Sequence, residues 1–443
     1  MLIAVENTIQ ALQAVVQNVP VGTNFALLQL MWVMLQGRLL VSRGGIFPAL
    51  IAGGFSWQEA RRSWAALRYG EWQSDELIEA WAKYVVAAGQ WQEHQHDGYR
   101  GVAVDVTAFW RPQLKGWLGK HFHNLAGRAL PAVSFGVVVR IGQMGLQRVP
   151  LLKCLVRTDR ENPSDAKLVE RLLHQVSQEL TPKEVALFDA GFKLTALQAA
   201  KIKQGVVRLA ANVTAQRNYS APYKGRGRRP TYGPVVRPLP RTYKGRTIAA
   251  TEPDFTDEFE YEGRCIKVKG WYDLILPKVV PGRDNDTFDI YVFEDPLYRD
   301  PLVLGVTVRL RPVTSFTLYQ DRWPVEQVPL AAKHMIGAHR QFVFAYQSIQ
   351  RWPELALIVG TILTYLAAAL PPIPTGFWDK QPKATPGRLR RLLARVDFPK
   401  DYPFEPQLRK KEAVTDHLPK GVLAHRRTKA LICSSFAIGL HNI

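Results

Sequence analysis

Apolar positions change their spacing twice along this chain. Over residues 1 to about 98 they recur at helical intervals, and two helix starts are marked. Ser56-Trp-Gln-Glu59 is a capping box opening a helix through about Tyr69, and Ser74-Asp75-Glu76 opens another through about Ala88. From Gly101 the period shortens. Gly101–Thr107 predicts a β-branched strand whose end carries an acid, Asp105. Ala132–Ile141 and Gln147–Leu155 predict two more strands joined by a short turn containing glycine. Asp165–Leu180 is helical by pattern. Glu184–Phe192 opens as a buried strand and again ends on an acid followed by glycine, Asp189 and Gly191. Phe192–Lys203 predicts a helix and Gly205–Leu209 a strand. Alternation of this kind defines a mixed sheet of the α/β class, with acids at the carboxyl ends of two strands.

Residues 212 to 315 break that pattern. An Arg/Gly/Pro-rich stretch running through Arg246 precedes strand-like segments at Cys265–Leu276, Thr287–Phe293 and Leu302–Arg311, which together read as a β-rich insertion. Helical spacing returns at Tyr319–Lys333, Gln341–Ser348 and Leu355–Leu370. A Pro- and Arg-rich tail follows, with a short basic helix expected at Arg388–Arg395. Leu355–Leu370 has sixteen residues, short of the roughly 20 that cross a bilayer, and reads as a buried helix.

At 443 residues the chain implies two or three domains, and 47% hydrophobic content with 12 Trp excludes a disordered chain. The net charge of +20 is concentrated. Arg217 to Arg246 holds nine Lys/Arg and no acid, and Lys383 to the C-terminus holds thirteen against five. Such concentration points to a polyanion, nucleic acid before anionic membrane. Cys154, Cys265 and Cys433 form no pair of metal-ligand spacing and imply a reducing compartment. Glu6 and Asn7 stand where a secretory leader is basic, so none is expected. No Gly-rich phosphate loop occurs, so no nucleotide cofactor is expected.

The run Tyr319-Gln-Asp-Arg322-Trp-Pro-Val-Glu326-Gln-Val-Pro-Leu-Ala-Ala-Lys333 carries the sharpest chemistry. On an ideal helix its Tyr, Arg, Glu and Lys fall within a stripe roughly 60° wide. One carboxylate among cations suits a site for metal and phosphate; the bland counterpart is a solvated ion-paired face. Pro324 and Pro329 argue against one uninterrupted helix. Three acids from separate elements, Asp105, Asp189 and Glu326, form the oxygen donor set that two divalent ions require on a phosphodiester.

On these residues the chain resembles the DDE transposases of bacterial insertion sequences, in the group whose last acidic motif is Tyr-x2-Arg-x3-Glu-x6-Lys. The Asp105 strand, the Asp-x-Gly-Phe at Asp189 and the Val-Val-Arg strand at Arg208 support the resemblance, which covers roughly residues 100 to 370. It implies an RNase H-like core in two parts, residues 99–211 and 316–372. These are split by the basic β-rich insertion 212–315, preceded by a helical domain 1–98 for DNA binding or dimerisation, and followed by a basic tail 373–443. The 137 residues from Asp189 to Glu326 accommodate such an insertion.

The resemblance further implies that Asp105, Asp189 and Glu326 hold two Mg²⁺ ions, which Mn²⁺ can replace. Tyr319, Arg322 and Lys333 would grip phosphates and terminal bases of a transposon end. Trp323 is either a stacking platform for a displaced base or, the preferred reading, a core tryptophan. Arg208 either contacts DNA or pairs with a core acid, and the basic run makes Lys224, Arg226, Arg228 and Arg229 candidate DNA contacts, which the resemblance itself does not assign. The implied activity is cut-and-paste transposition by a homodimer that synapses double-stranded DNA ends, in the bacterial cytoplasm at the nucleoid, with no membrane partner. Alternatives are a non-catalytic DNA-binding protein of the same fold, an RNase H-like nuclease, and a membrane-surface protein. His94-x-His96 and His121-x-His123 each make half a metal site and read as surface histidines. The acidic cluster Asp254–Glu260 reads as a solvated face or an internal partner of the basic stretch.

Overall fold

The computed structural model describes residues 2–408 except 221, 222, 224, 226, 341 and 342. Lys224, Arg226, Cys433 and the tail beyond 408 lie outside the described residues.

The protein is mixed α/β, built on one large sheet with parallel and antiparallel pairs. Its centre is five strands: β1 (Tyr99–Trp110), β2 (Arg128–Met144), β3 (Gln147–Arg157), β4 (Glu184–Phe188) and β5 (Gly205–Arg208). Their order in space is β3-β2-β1-β4-β5. The first three are antiparallel, while β4 and β5 run parallel to β1. Parallel neighbours need crossovers, supplied by the helices Asp165–Glu179 and Leu194–Ala199. The second is shorter than the expected Phe192–Lys203; Lys201, at φ 57°, turns the chain into β5.

Strand β1 corrects an expectation. Expected over Gly101–Thr107 with Asp105 at its end, it continues to Trp110, because β2 pairs with it as far as Trp110 opposite Ala132. Only its parallel pairing stops near the acid: the last pair with β4 is Val104 opposite Phe188.

The sheet is covered on both faces, which explains its near-continuous apolar runs. Val102, Val104 and Val138 pack with Leu168, Leu172 and Val176 of the Asp165–Glu179 helix. Gly136 permits that approach, since a Cβ there would stand 2.7 Å from Leu172. Ala103, Phe135, Val137 and Val139 face the other way, into one core shared with Trp32, Trp81, Trp352 and Leu355. That second cover consists of the N-terminal helices and the helix Ser348–Ala369. Trp57–Tyr69 begins at the expected capping box, Ser56 with Glu59, and Ser74–Ala88 matches its prediction.

The segment 212–315 is continuous with the central sheet. Its strands β6 (Phe255–Tyr261), β7 (Arg264–Ile275), β8 (Phe288–Glu294) and β9 (Leu302–Val306) extend it, β9 pairing antiparallel with β5. The predicted strand Leu302–Arg311 stops at Val306, after which the chain turns to enter a helix at Pro312. Most of the acidic cluster is strand β6, exposed on its charged side, while Phe255 stacks on Tyr272 at 5.1 Å. Asp254 is the internal partner that the sequence offered, pairing with Arg217 at 2.6 Å.

Ser348–Ala369 is the one helix among the described residues long and apolar enough to cross a membrane, and 89% of its apolar window is buried inside the protein. Its Glu354, fully buried, takes two bonds from Arg157 at 2.8 and 2.5 Å. The helix predicted at Gln341–Ser348 is absent over its described residues, 343–347; helix begins only at Ser348. The basic helix of the tail is Pro386–Leu393.

Candidate active site

Strand register aligns the first two acids. Val104 pairs with Phe188, and Asp105 and Asp189 are the next residues on those adjacent parallel strands. Phe188 in turn pairs with Val207, so Arg208 continues the same row on β5. Neighbouring strands stand about 4.8 Å apart, so three polar side chains share the carboxyl edge of the sheet. Beyond the last pair, the Gly191 N–H donates to Asp189 Oδ1 at 2.9 Å and turns the chain away.

The Tyr319–Lys333 segment approaches this edge as a chain of short pieces. Tyr319 lies near the end of the helix Pro312–Gln320. A 3-10 turn Trp323–Glu326, one α turn Gln327–Leu330 and a π turn Ala331–Ile336 follow. Pro324 and Pro329 lack the N–H groups that one long helix would need, so the ladder changes pitch around them. Arg322 and Glu326 still meet, at 2.9 Å.

Burial pushes the Asp105 carboxyl up to about 6, and the negative charges of Asp189 and Glu326 add to the rise while Arg322 opposes it. The three acids therefore share one electrostatic neighbourhood. Arg322 is held charged by Tyr319, Glu326 and Asp105 against its partial burial. Burial also raises the Tyr319 phenol, with Arg322 and Arg208 pulling the other way.

Lys333 closes the site from the π turn. Its Nζ donates to Thr107 Oγ1 at 2.8 Å and lies 5.4 and 5.1 Å from the ring centres of Phe109 and Trp110. Burial lowers its ammonium to about 8, with Asp105 opposing. Three residues of β1 past Asp105, Thr107, Phe109 and Trp110, thus build the seat for Lys333, the last two beyond the predicted strand.

Two hollows take in neighbours of the acids, though none of the three acids lines either. One, of about 400 Å³, gathers Arg208, Tyr319, Arg322 and Trp323 with Arg299. Trp323 is 61% exposed, which overturns the core reading: Pro324 and Val325 take the buried positions of its turn. Arg208 is exposed and pairs with no acid among the described residues. The other hollow, of about 370 Å³, is lined by Arg43, Trp110, Arg111, His339, Arg340 and Phe344. Arg111 is only 7% exposed, yet no acid pairs with it among the described residues. One of its bonds goes to the Val343 carbonyl at 3.0 Å, its Nη1 has no partner, and burial lowers it to about 10. No sequence signal distinguished it. In the insertion, Arg228 and Arg229 are exposed, the latter 5.6 Å from the Tyr223 ring.

The histidines need correction. His94 and His96 are half-buried, and both face Asp321 Oδ2, at 2.6 and 2.8 Å. His121 bonds Asp165 at 2.8 Å, and His123 accepts from the Ala126 N–H at 3.2 Å. An acid does complete the first pair, from 225 residues away, which no local spacing reveals.

No known protein-family model matches the chain, and a search of curated proteins finds no match.

Proposed function

We propose that this protein is a DNA transposase with an RNase H-like core that cleaves and joins phosphodiesters at the ends of an insertion sequence. The carrying observation is the coupling of Asp105 to Asp189, Glu326 and Arg322 at one sheet edge. The strand order β3-β2-β1-β4-β5, with three antiparallel strands followed by two parallel ones, supports the RNase H-like reading.

Burial raises the Asp105 carboxyl, the charges of Asp189 and Glu326 add to the rise, and an all-oxygen donor set fits Mg²⁺ or Mn²⁺. Asp105, Asp189 and Glu326 would hold two such ions. When bound, these would lower the pKa of an attacking water and neutralise charge on the scissile phosphate. Arg322, fixed by Glu326 and Tyr319, presents a planar guanidinium beside the acids and suits a phosphate oxygen. Lys333, seated on Thr107 and two aromatic rings, supplies a second positive charge. Trp323, exposed on the rim of the Arg208 hollow, offers a face for an unstacked base. The hollow around Arg111 shares Trp110 with the Lys333 seat, and its His339 bonds the Lys333 carbonyl, so it would offer a basic path for the departing strand. Water attack would leave a 3′-hydroxyl, which would then attack the opposite strand or target DNA. Two ends must be held together, so the working form would be a homodimer on double-stranded DNA.

The test is incubation of purified protein with its flanking DNA and Mg²⁺ or Mn²⁺, beside Glu326→Gln. Wild-type protein nicks at the element boundary, while the variant binds and does not cut. Binding with every strand intact in both would leave a non-catalytic DNA-binding protein.

A further inference from the structure

A hairpin and a helix end converge on one buried oxygen outside the three-acid site. His94 follows the short strand Gln92–Glu93, His96 lies in the strand Gln95–His96, and Asp321 caps the C-terminus of the helix Pro312–Gln320. Asp321 is fully buried. Its Oδ2 faces Nδ1 of His94 and Nε2 of His96, and the three ligand atoms lie within 4.8 Å of one another. The two rings stand 4.6 Å apart at 73°, and one nitrogen of each shares Asp321 Oδ2 as its partner. Arg148 approaches the other oxygen at 3.2 Å, yet that Oδ1 has no well-formed hydrogen bond despite its burial.

We propose that His94, His96 and Asp321 form a binding site for a transition-metal ion of the Zn²⁺ type. Two neutral imidazoles and one carboxylate, with a fourth position left to water, are a donor set that such an ion takes tetrahedrally. Magnesium, which prefers oxygen, is disfavoured by the two nitrogens. Tetrahedral ligands around zinc stand roughly 3.3 Å apart, so the nitrogens of His94 and His96, at 2.6 and 2.8 Å from Oδ2, must withdraw by roughly 0.7 and 0.5 Å. The two rings are partly exposed and can swing about their side-chain bonds, whereas Asp321 is anchored by its helix and by Arg148.

The site has a positioning consequence. The same hairpin grips the start of that helix, where Asp97 pairs with Arg311 and Thr314. A bound ion at the other end would fix the residue immediately before Arg322. It would tie the Tyr319–Glu326 segment to the strand that leads into β1 and Asp105.

Co²⁺ reports on the proposal, because tetrahedral Co²⁺ with nitrogen ligands absorbs visible light far more strongly than octahedral Co²⁺ on oxygens. The full chain is stripped with EDTA, dialysed and titrated with Co²⁺, beside His96→Asn, His94→Ala and Glu326→Gln. Asparagine can keep a hydrogen bond to Asp321 while being a poor ligand, so His96→Asn guards against simple unfolding. One strong tetrahedral band per chain is expected in the wild type and in Glu326→Gln. The two histidine variants should lose it or weaken binding at least about tenfold. No band in the wild type, or a band unchanged in His96→Asn, would reduce the cluster to a hydrogen-bonded clamp. Cleavage is not the readout, so either result leaves the three-acid reading standing or falling on its own test.

Discussion

Lys333 donates to the Thr107 hydroxyl at 2.8 Å, joining positions 226 apart in sequence and two residues beyond Asp105. This bond ties the π turn to the strand that carries the first acid. It holds the ammonium close enough to Asp105 to feel its charge, and on the proposed function a phosphate of a bound strand would pass there.

Lys333→Ala should therefore weaken binding to element-end DNA and lower the slope of log K against log salt by about 0.9, the release expected for one phosphate contact. Fluorescence anisotropy at several salt concentrations measures both. An unchanged slope would remove Lys333 from the DNA path.

Arg111 combines burial with no acidic partner among the described residues, a costly arrangement unless an anion arrives. Arg111→Met should raise the melting temperature, or leave it unchanged, while lowering DNA affinity severalfold. Thermal unfolding and binding on one preparation check the two effects. Loss of stability without loss of affinity would make Arg111 a structural residue.

Trp323 stands 61% exposed, so removing its ring should leave the fold nearly unaffected. Trp323→Ala should shift the melting temperature by no more than about a degree or two. It should weaken binding to DNA with an unpaired terminal base by about tenfold or more, within the range of one stacked base. Equal loss on fully paired and unpaired ends would speak against stacking.

Glu184 opens β4, 1% exposed at its side chain, and meets Lys153 at 3.0 Å and Arg140 at 3.1 Å. Burial works against its charge, but the Thr181 N–H, Lys153 and Arg140 outweigh it and hold the carboxyl below its ordinary value. A carboxyl depressed in the folded state stabilises above its unfolded pKa and loses that contribution as pH falls through the folded value. Glu184→Gln should thus cost about 3 kcal/mol near pH 7. The gap to wild type should narrow below about pH 4. Denaturant midpoints across pH give the comparison; a gap independent of pH would contradict the assignment.

Much of this arrangement is legible in the chain because it is written locally. The Ser56–Glu59 capping box, the strands around Asp105 and Asp189, and the spacing from Tyr319 to Lys333 each rest on neighbours a few residues away. The prolines at 324 and 329 also foretold the broken helix. What escaped depends on distant partners. Asp321 meets His94 and His96 only through the fold, and β1 outruns Asp105 because β2 pairs with its far half. Trp323 points outward because Pro324 and Val325 turn inward, a choice of face within one turn that composition does not encode. The strands of 212–315 continue the central sheet because β9 finds the free edge of β5, a pairing with no local signature.

The central claim is that Asp105, Asp189 and Glu326 meet to bind divalent ions. A crystal of the full chain with a short element-end duplex, soaked in Mn²⁺, tests it by anomalous scattering. The account predicts Mn²⁺ at the carboxyl edge of the sheet, about 2.2 Å from carboxylate oxygens of all three acids. Manganese absent from that edge, or an acid lying more than about 10 Å from the other two with DNA in place, would contradict it.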